Sequence, residues 1–283
     1  MADEEDEKVQ KDPRVEEAKV AIREEIAKQR VVTDREIKVR LETRFFPWVT
    51  GRGMMQLLES EEVEKHGYAG RRRTGGGMTE KYYSLKDVSY DEIRDLIQLK
   101  REVSGGIVAI LTGEAAAGAH AEDLFDEVFE TLGFKIHGRD VSKFNGKEIK
   151  GEVGKEPGNL DFVVERDNVV YGVDVKNWIR YEADTREEVR RKVRFALELG
   201  TQPFIIARYL DQDTIYTEIN AKGGIAYRYV RLLVPEIFES LAVRAKELLG
   251  YPMLATDKFP DYSVKWVEKL HLDNLERLKR KQV

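Results

Sequence analysis

At 283 residues the chain is long enough for two domains, each burying its own core. It has no cysteine, which excludes disulfides and thiolate metal sites, and its four histidines, His66, His120, His137 and His271, lack metal-ligand spacing. With 48 basic and 53 acidic residues the net charge is -5, and no apolar run reaches the ~20 residues that span a bilayer.

The start, Met1-Ala2-Asp3-Glu4-Glu5-Asp6-Glu7, is the reverse of a basic secretory signal. A soluble, cytoplasmic protein without a membrane partner is expected. Charged residues make up 36 % of the chain with both signs abundant, which resembles the composition of proteins from hot environments. The negative average conceals a local reversal. Residues 1–13 have an acidic excess of four and no apolar periodicity, and a disordered tail is expected there, whereas residues 14–86 have a basic excess of four.

Val15, Ala18, Val20, Ala21, Ile22 and Ile26 read as a helical stripe. Thr33-Asp34-Arg35-Glu36 is a capping box that opens a second helix, and Pro47 opens a third containing Met54, Met55, Leu57 and Leu58. A Gly-rich basic loop, Gly67 to Met78, leads into the strand-like Lys81-Tyr82-Tyr83-Ser84-Leu85. Three helices and a hairpin with a basic tip resemble a winged helix-turn-helix domain over residues 14–86. That resemblance implies a DNA partner, with Arg52 near the start of the third helix and Arg71, Arg72 and Arg73 on the wing meeting phosphates. A winged helix used for protein interaction is the competing reading.

Ser89-Tyr90-Asp91-Glu92 is another capping box, opening a connector helix expected to end near Val103 before a Gly105-Gly106 hinge, so residues 87–106 are read as a connector. Gly75-Gly76-Gly77 and the Gly113 to Gly118 segment lack a following Gly-Lys-Ser/Thr, so no nucleotide cofactor is expected. His120 to Leu132 reads as an amphipathic helix with Leu124, Val128, Phe129 and Leu132 on its apolar stripe, stopped by Gly133 before a strand.

Two further strands follow, Gly158 to Val164 and Val170 to Asn177, joined through Arg166-Asp167-Asn168, where Asp and Asn tolerate left-handed backbone geometry. Pairing them brings Asp161 near Asp174. Period-two alternation projects Asp174 and Lys176 to one face and sends Val173 and Val175 to the other. Two aspartates suit a hard cation such as Mg²⁺, which takes one or two carboxylates and keeps room for water and phosphate oxygens. The Lys176 ammonium then orients the nucleophile or neutralises developing charge. A surface salt-bridge pattern is the bland alternative.

Acidic helix, strand, strand with Asp, strand ending in D-x-K, then helix and strand: this series over residues 115–210 resembles the PD-(D/E)xK superfamily of restriction-endonuclease-like nucleases. The proline of the motif is replaced by Leu160. The resemblance implies a fold of class α/β with a central mixed sheet over residues 107–250, and an endodeoxyribonuclease that binds Mg²⁺, or Mn²⁺ in its place. Glu122, Asp161, Asp174 and the Val175 backbone carbonyl would be the metal ligands, with Lys176 assisting the attacking water. A helix from Thr185 to Leu199, with a capping box at Thr185 to Glu188, carries Arg190, Arg191, Lys192 and Arg194, which would partly face DNA phosphates; a solvated helix face is the competing reading. Gln202, opening the next strand, would add a polar group to the site.

Later segments read as strands at Thr214 to Ile219 and Ala226 to Val230, a helix from Pro235 to Leu249 ended by Gly250, and a last helix over 261–281 within a C-terminal segment, 251–283. The stripe Val264, Val267, Leu270, Leu275 and Leu278 marks a homodimer contact as an open alternative. Branched or damaged DNA and restriction sites all remain open as substrates. An inactive DNA-binding regulator and an RNA nuclease are the competing functions.

Overall fold

The structure is a computed structural model that describes residues 12–67, 80–112, 117–150, 158–180 and 183–281. The acidic tail before Asp12, the wing with Arg71, Arg72 and Arg73, and most of the Gly113 to Gly118 segment lie outside the described residues. The protein is mixed α/β and divides into two compact units, one comprising Met1–Val103 with Leu248–Gly250, the other Ser104–Glu247 with Tyr251–Val283.

In the first unit, α1 (Pro13–Gln29) opens with proline at its first position and the Asp12 carboxylate accepting from the Arg14 amide at 3.0 Å. Val15, Ala18, Ala21, Ile22 and Ile26 are buried. Val20, read from sequence as part of that stripe, is exposed because it falls outside the three- and four-residue spacing of the buried face. The strand β1 (Val31–Thr33) runs into α2 (Asp34–Leu41), and the expected capping box is present: Thr33 Oγ1 accepts from the Glu36 amide at 3.0 Å while Glu36 Oε2 accepts from the Thr33 amide at 3.4 Å. Then come α3 (Pro47–Glu59), β2 (Val63–Gly67) and β3 (Lys81–Leu85). The three strands form an antiparallel sheet in the order β1-β3-β2.

α4 (Tyr90–Thr112) starts where expected, Ser89 Oγ accepting from the Glu92 amide at 3.3 Å. It does not stop at Val103. The buried series Val103, Ile107 and Ile110 keeps the helical period through the glycines, so the expected hinge is helix interior. Gly106 is there for space: a Cβ at that position would lie 2.9 Å from Leu241 Cδ2.

In the second unit, α5 (Ala117–Thr131) ends at Gly133, whose φ of +72° supplies the left-handed turn into β4 (Lys135–Val141). The short β5 (Lys143–Phe144) and β6 (Lys147–Glu148) pair with each other. β7 (Leu160–Arg166) and β8 (Val169–Lys176) form the predicted hairpin, with Asp167 and Asn168 both at positive φ as a two-residue primed turn requires. α6 (Ala183–Glu198) crosses to β9 (Gln202–Ala207), which pairs parallel with β8, and β10 (Ile225–Arg228) extends the sheet in parallel. The central sheet is therefore mixed, in the order β10-β9-β8-β7-β4.

Thr214–Ile219 is a π-helical turn, not the strand read from its alternation. The Asp211 carboxylate accepts from the Thr214 amide at 2.9 Å and its hydroxyl at 2.5 Å, which starts a helical turn and overrides the weak alternation. β11 (Leu232–Val234), α7 (Glu239–Leu249, preceded by a 3-10 turn), β12 (Met253–Ala255) and α8 (Asp261–Lys281) complete the chain. Val267 is fully buried and Val264, Leu270, Leu275 and Leu278 pack on the same core, so the stripe offered for a dimer is occupied by the protein's own sheet.

Helices cover both faces of that sheet. Ala121, Leu124, Phe125, Val128 and Phe129 of α5 join Val173, Val175, Phe204, Ile206 and Val267 in one core. Phe195, Ala196 and Leu199 pack with Leu160 and Val163 in another. Gly172, on the α6 side of β8, allows the close approach: a Cβ there would lie 2.7 Å from Leu160 Cδ1 and 3.0 Å from Ala196 Cβ.

Candidate active site at the end of the β7 and β8 hairpin

The last register pair of the hairpin is Phe162 with Val173, which sets Asp161 and Asp174 opposite one another one step further on. Val173 and Val175 enter the α5 core as the alternation requires, and Asp174 and Lys176 project toward α6. Asp174 is fully buried and Asp161 is 9 % exposed, unusual for two carboxylates so close together.

Asp161 Oδ2 accepts from the Val175 amide at 2.5 Å. Burial, reinforced by the neighbouring Asp174, pushes the Asp161 carboxyl up to about 7, against the opposing pull of Lys176 and Lys192. Lys176 Nζ donates to Asp174 Oδ1 at 3.1 Å and pairs with Glu188 Oε1 at 3.3 Å. Burial alone would lower the Lys176 ammonium, but Asp174, Asp161 and Glu188 outweigh it and hold the group above its ordinary value. Lys192 Nζ reaches Asp174 Oδ1 at 2.6 Å and donates to the Asn159 carbonyl at 2.8 Å. Asp174 Oδ2 is buried and accepts no hydrogen bond, with the Lys176 ammonium 3.1 Å from it.

Asn177 closes the end of β8. Its Nδ2 donates to the carbonyls of Ala117 at 2.6 Å and Leu233 at 2.7 Å, and its Oδ1 accepts from the Tyr229 hydroxyl at 3.0 Å. This ties the start of α5 to the strand that bears the acids. Glu122, in the first half of α5, is half-buried, and burial followed by repulsion from Asp140 raises its carboxyl; Lys176 and Asp174 also act on it. Among the described residues no group of three or more His, Asp or Glu is arranged to hold a metal ion, so Glu122 does not complete a three-acid set with the aspartates. The physical reason is its face: α5 packs against the Val173 and Val175 side of the sheet, opposite the face of Asp174. Two carboxylates, one with a buried oxygen that accepts no hydrogen bond, still fit a hard cation that keeps several waters.

Of the cationic residues expected to face DNA, Arg190 is occupied by Glu218 at 2.6 Å and by Glu187, and the hydrogen bond to Glu218 raises its guanidinium. Arg194 lies 3.8 Å from Glu198 and stacks over Phe195. Arg191 is exposed on the same helix, beside Asp184, Glu187 and Glu188 in an open groove. Arg52 is exposed on α3 and acts on Asp12 through charge. Gln202 is not at the site. It pairs with Tyr171, whereas Lys176 pairs with Ala207 at the other end of β8, and its Oε1 accepts from Asn274 at 2.7 Å.

Sequence reasoning read Glu188 as part of a cap and Lys192 as a phosphate-facing cation, and missed their place beside Lys176 and Asp174. The capping box that assigned Glu188 to a backbone amide fails because α6 begins at Ala183, which leaves Thr185 inside the helix and Glu188 free to meet Lys176. Their i, i+4 spacing, a lysine one turn beyond a glutamate in the helix after D-x-K, was the available signal.

No family model matches the chain. No curated protein matches it. A solved structure, the crystal structure of protein VC1899 from Vibrio cholerae, is similar with 10 % identity over 85 % of this chain and 52 % of that one, at a TM-score of 0.27. The chain spans about half the length of that protein, and so slight a likeness leaves function to the site.

Proposed function

We propose that this protein is a metal-dependent endodeoxyribonuclease of the PD-(D/E)xK type. The observation that carries the reading is the buried pair Asp161 and Asp174 on adjacent strands with Lys176 on the same face, its ammonium 3.1 Å from each Asp174 oxygen. Such a pair would hold Mg²⁺ or Mn²⁺, which lowers the pKa of a bound water and stabilises charge on phosphate. Lys176 is placed to donate to a phosphate oxygen or to the incoming water. Glu122 acts on this centre through charge and is not counted among its direct ligands.

The order α1-β1-α2-α3-β2-β3 supports a winged-helix reading of the first unit. On that reading Arg52 and the wing arginines Arg71, Arg72 and Arg73 bind duplex phosphates, and Arg191 and Arg194 would separately meet phosphates on the nuclease unit. A catalytically silent DNA-binding protein is the second reading, favoured by one observation: Asp174 already has two lysines on it.

The test is cleavage of labelled single-stranded, duplex, flapped and four-way-junction DNA, with matched RNA strands, in Mg²⁺ or chelator. Asp174→Ala and Lys176→Ala are each expected to reduce cleavage at least a thousandfold while DNA affinity stays within about threefold of the parent. Binding of DNA without metal-dependent cutting assigns the protein to the second reading. Cutting retained in either variant removes the site.

A further inference from the structure

The helix α6 answers the D-x-K strand charge for charge. Glu188 meets Lys176 at 3.3 Å and Lys192, one turn on, meets Asp174 at 2.6 Å. Lys192 is 7 % exposed, so its stem is buried and its ammonium held between Asp174 Oδ1 and the Asn159 carbonyl. Resting on the metal reading above, we propose that Lys192 is the resident counter-cation of Asp174 and competes with the divalent ion for that carboxylate, which makes it a positioning residue that sets metal affinity.

The argument is electrostatic. Two buried carboxylates facing each other are costly without compensation, and two ammonium groups supply it. Lys176 is also drawn by Glu188, whereas among the described residues Lys192 meets Asp174 alone of the acids. A dication arriving at Asp174 meets the positive charge of Lys192 within a few ångström, in a site that water screens poorly. Both lysines meet Oδ1, and Lys176 also lies 3.1 Å from Oδ2, which is buried and accepts no hydrogen bond. A purely structural lysine has a different signature, since losing a structural contact loosens the carboxylate and weakens metal binding. Removal of a competitor strengthens it.

Mn²⁺ binding to the full-length protein, followed by electron paramagnetic resonance and calorimetry, separates the two. Lys192→Met is expected to bind Mn²⁺ at least about tenfold more tightly than the parent, Lys192→Arg to match the parent, and Asp174→Asn to abolish binding in either background. Equal or weaker binding by a folded Lys192→Met protein overturns the inference. Should that variant fail to fold, acetylation of the parent protein read by mass spectrometry serves instead: Lys192 labelling rises with Mn²⁺ if the ion displaces it, and unchanged labelling overturns the inference. Metal-dependent cutting by the parent with unaltered affinity in Lys192→Met sinks the role of Lys192 alone. No Mn²⁺ binding by parent or variant sinks it together with the metal reading.

Discussion

The Val175 amide donates to Oδ2 of Asp161 at 2.5 Å, so the carboxylate of one strand is held by the backbone of the next, beside Asp174. That hydrogen bond favours the ionised form but does not offset burial and the adjacent charge, and the Asp161 carboxyl sits at about 7 against an ordinary 3.8. A carboxyl raised on folding binds its proton more tightly in the folded state. Stability from this group is full below about 4 and is lost as pH rises through about 7, by up to about 4 kcal/mol. Asp161→Asn, which keeps an acceptor for the Val175 amide, is expected to be more stable than the parent at pH 8 in metal-free buffer and no more stable at pH 4. Urea unfolding at the two pH values measures the difference, and a gap that does not change with pH contradicts the electrostatic account.

Gly172 lies where β8 and α6 come closest, and any side chain there meets Thr201 Oγ1, Leu160 and Ala196. Gly172→Val is expected to cost about 3 kcal/mol through overpacking. Chemical denaturation would show a lower midpoint with an unchanged slope. A cost below about 0.5 kcal/mol means that the helix and sheet adjust freely.

Within the first unit Glu36 is fully buried, and Lys100, 2 % exposed, donates to it at 2.6 Å and to the Leu248 carbonyl at 2.7 Å. Burial pulls the Lys100 ammonium below its usual value, and Glu36 pulls it back. Without Lys100, Glu36 keeps Arg40 on Oε1 at 2.9 Å but loses the cation on its buried Oε2, so Lys100→Met is expected to cost about 1 to 3 kcal/mol. The double variant with Glu36→Gln should cost less than the sum of the two single changes by 1 kcal/mol or more. Simple additivity in a double-mutant cycle speaks against coupling.

At the opposite end of β8 from Lys176, the Tyr171 hydroxyl bonds His271 Nδ1 at 3.0 Å and accepts from Asn274 at 2.9 Å, while His271 Nε2 bonds Asp167 at 2.9 Å. Burial pushes the phenol up to about 12, so it remains a donor and leaves Nδ1 as acceptor and Nε2 as donor. Tyr171→Phe strands polar atoms of His271 and Asn274 and is expected to cost about 1 to 3 kcal/mol. Cleavage is expected to change less than about threefold, because the network and the aspartates occupy opposite ends of the strand. A large loss of activity at unchanged stability would tie this network to the site.

Local chemistry made several elements legible. Thr33 and Glu36 form the expected cap, Asp167 and Asn168 make the expected turn, and Val173 and Val175 lie on the face opposite Asp174 and Lys176. The errors arose where a local rule met a distant partner. The glycines expected to hinge α4 are helix interior, Gly106 making room for Leu241. The glutamate expected to cap α6 belongs to Lys176.

The shared face of Asp174 and Lys176 was determined by sequence alone, because a two-residue period is a property of any extended chain. Tertiary structure alone decided that Lys192 sits on Asp174 and that α5, which carries Glu122, covers the opposite face of the sheet. Both depend on which face of the sheet each helix covers, and that choice is made by packing of side chains far apart in the chain: Phe195 and Ala196 against Leu160 on one face, Phe125 and Phe129 in the core with Val173 on the other.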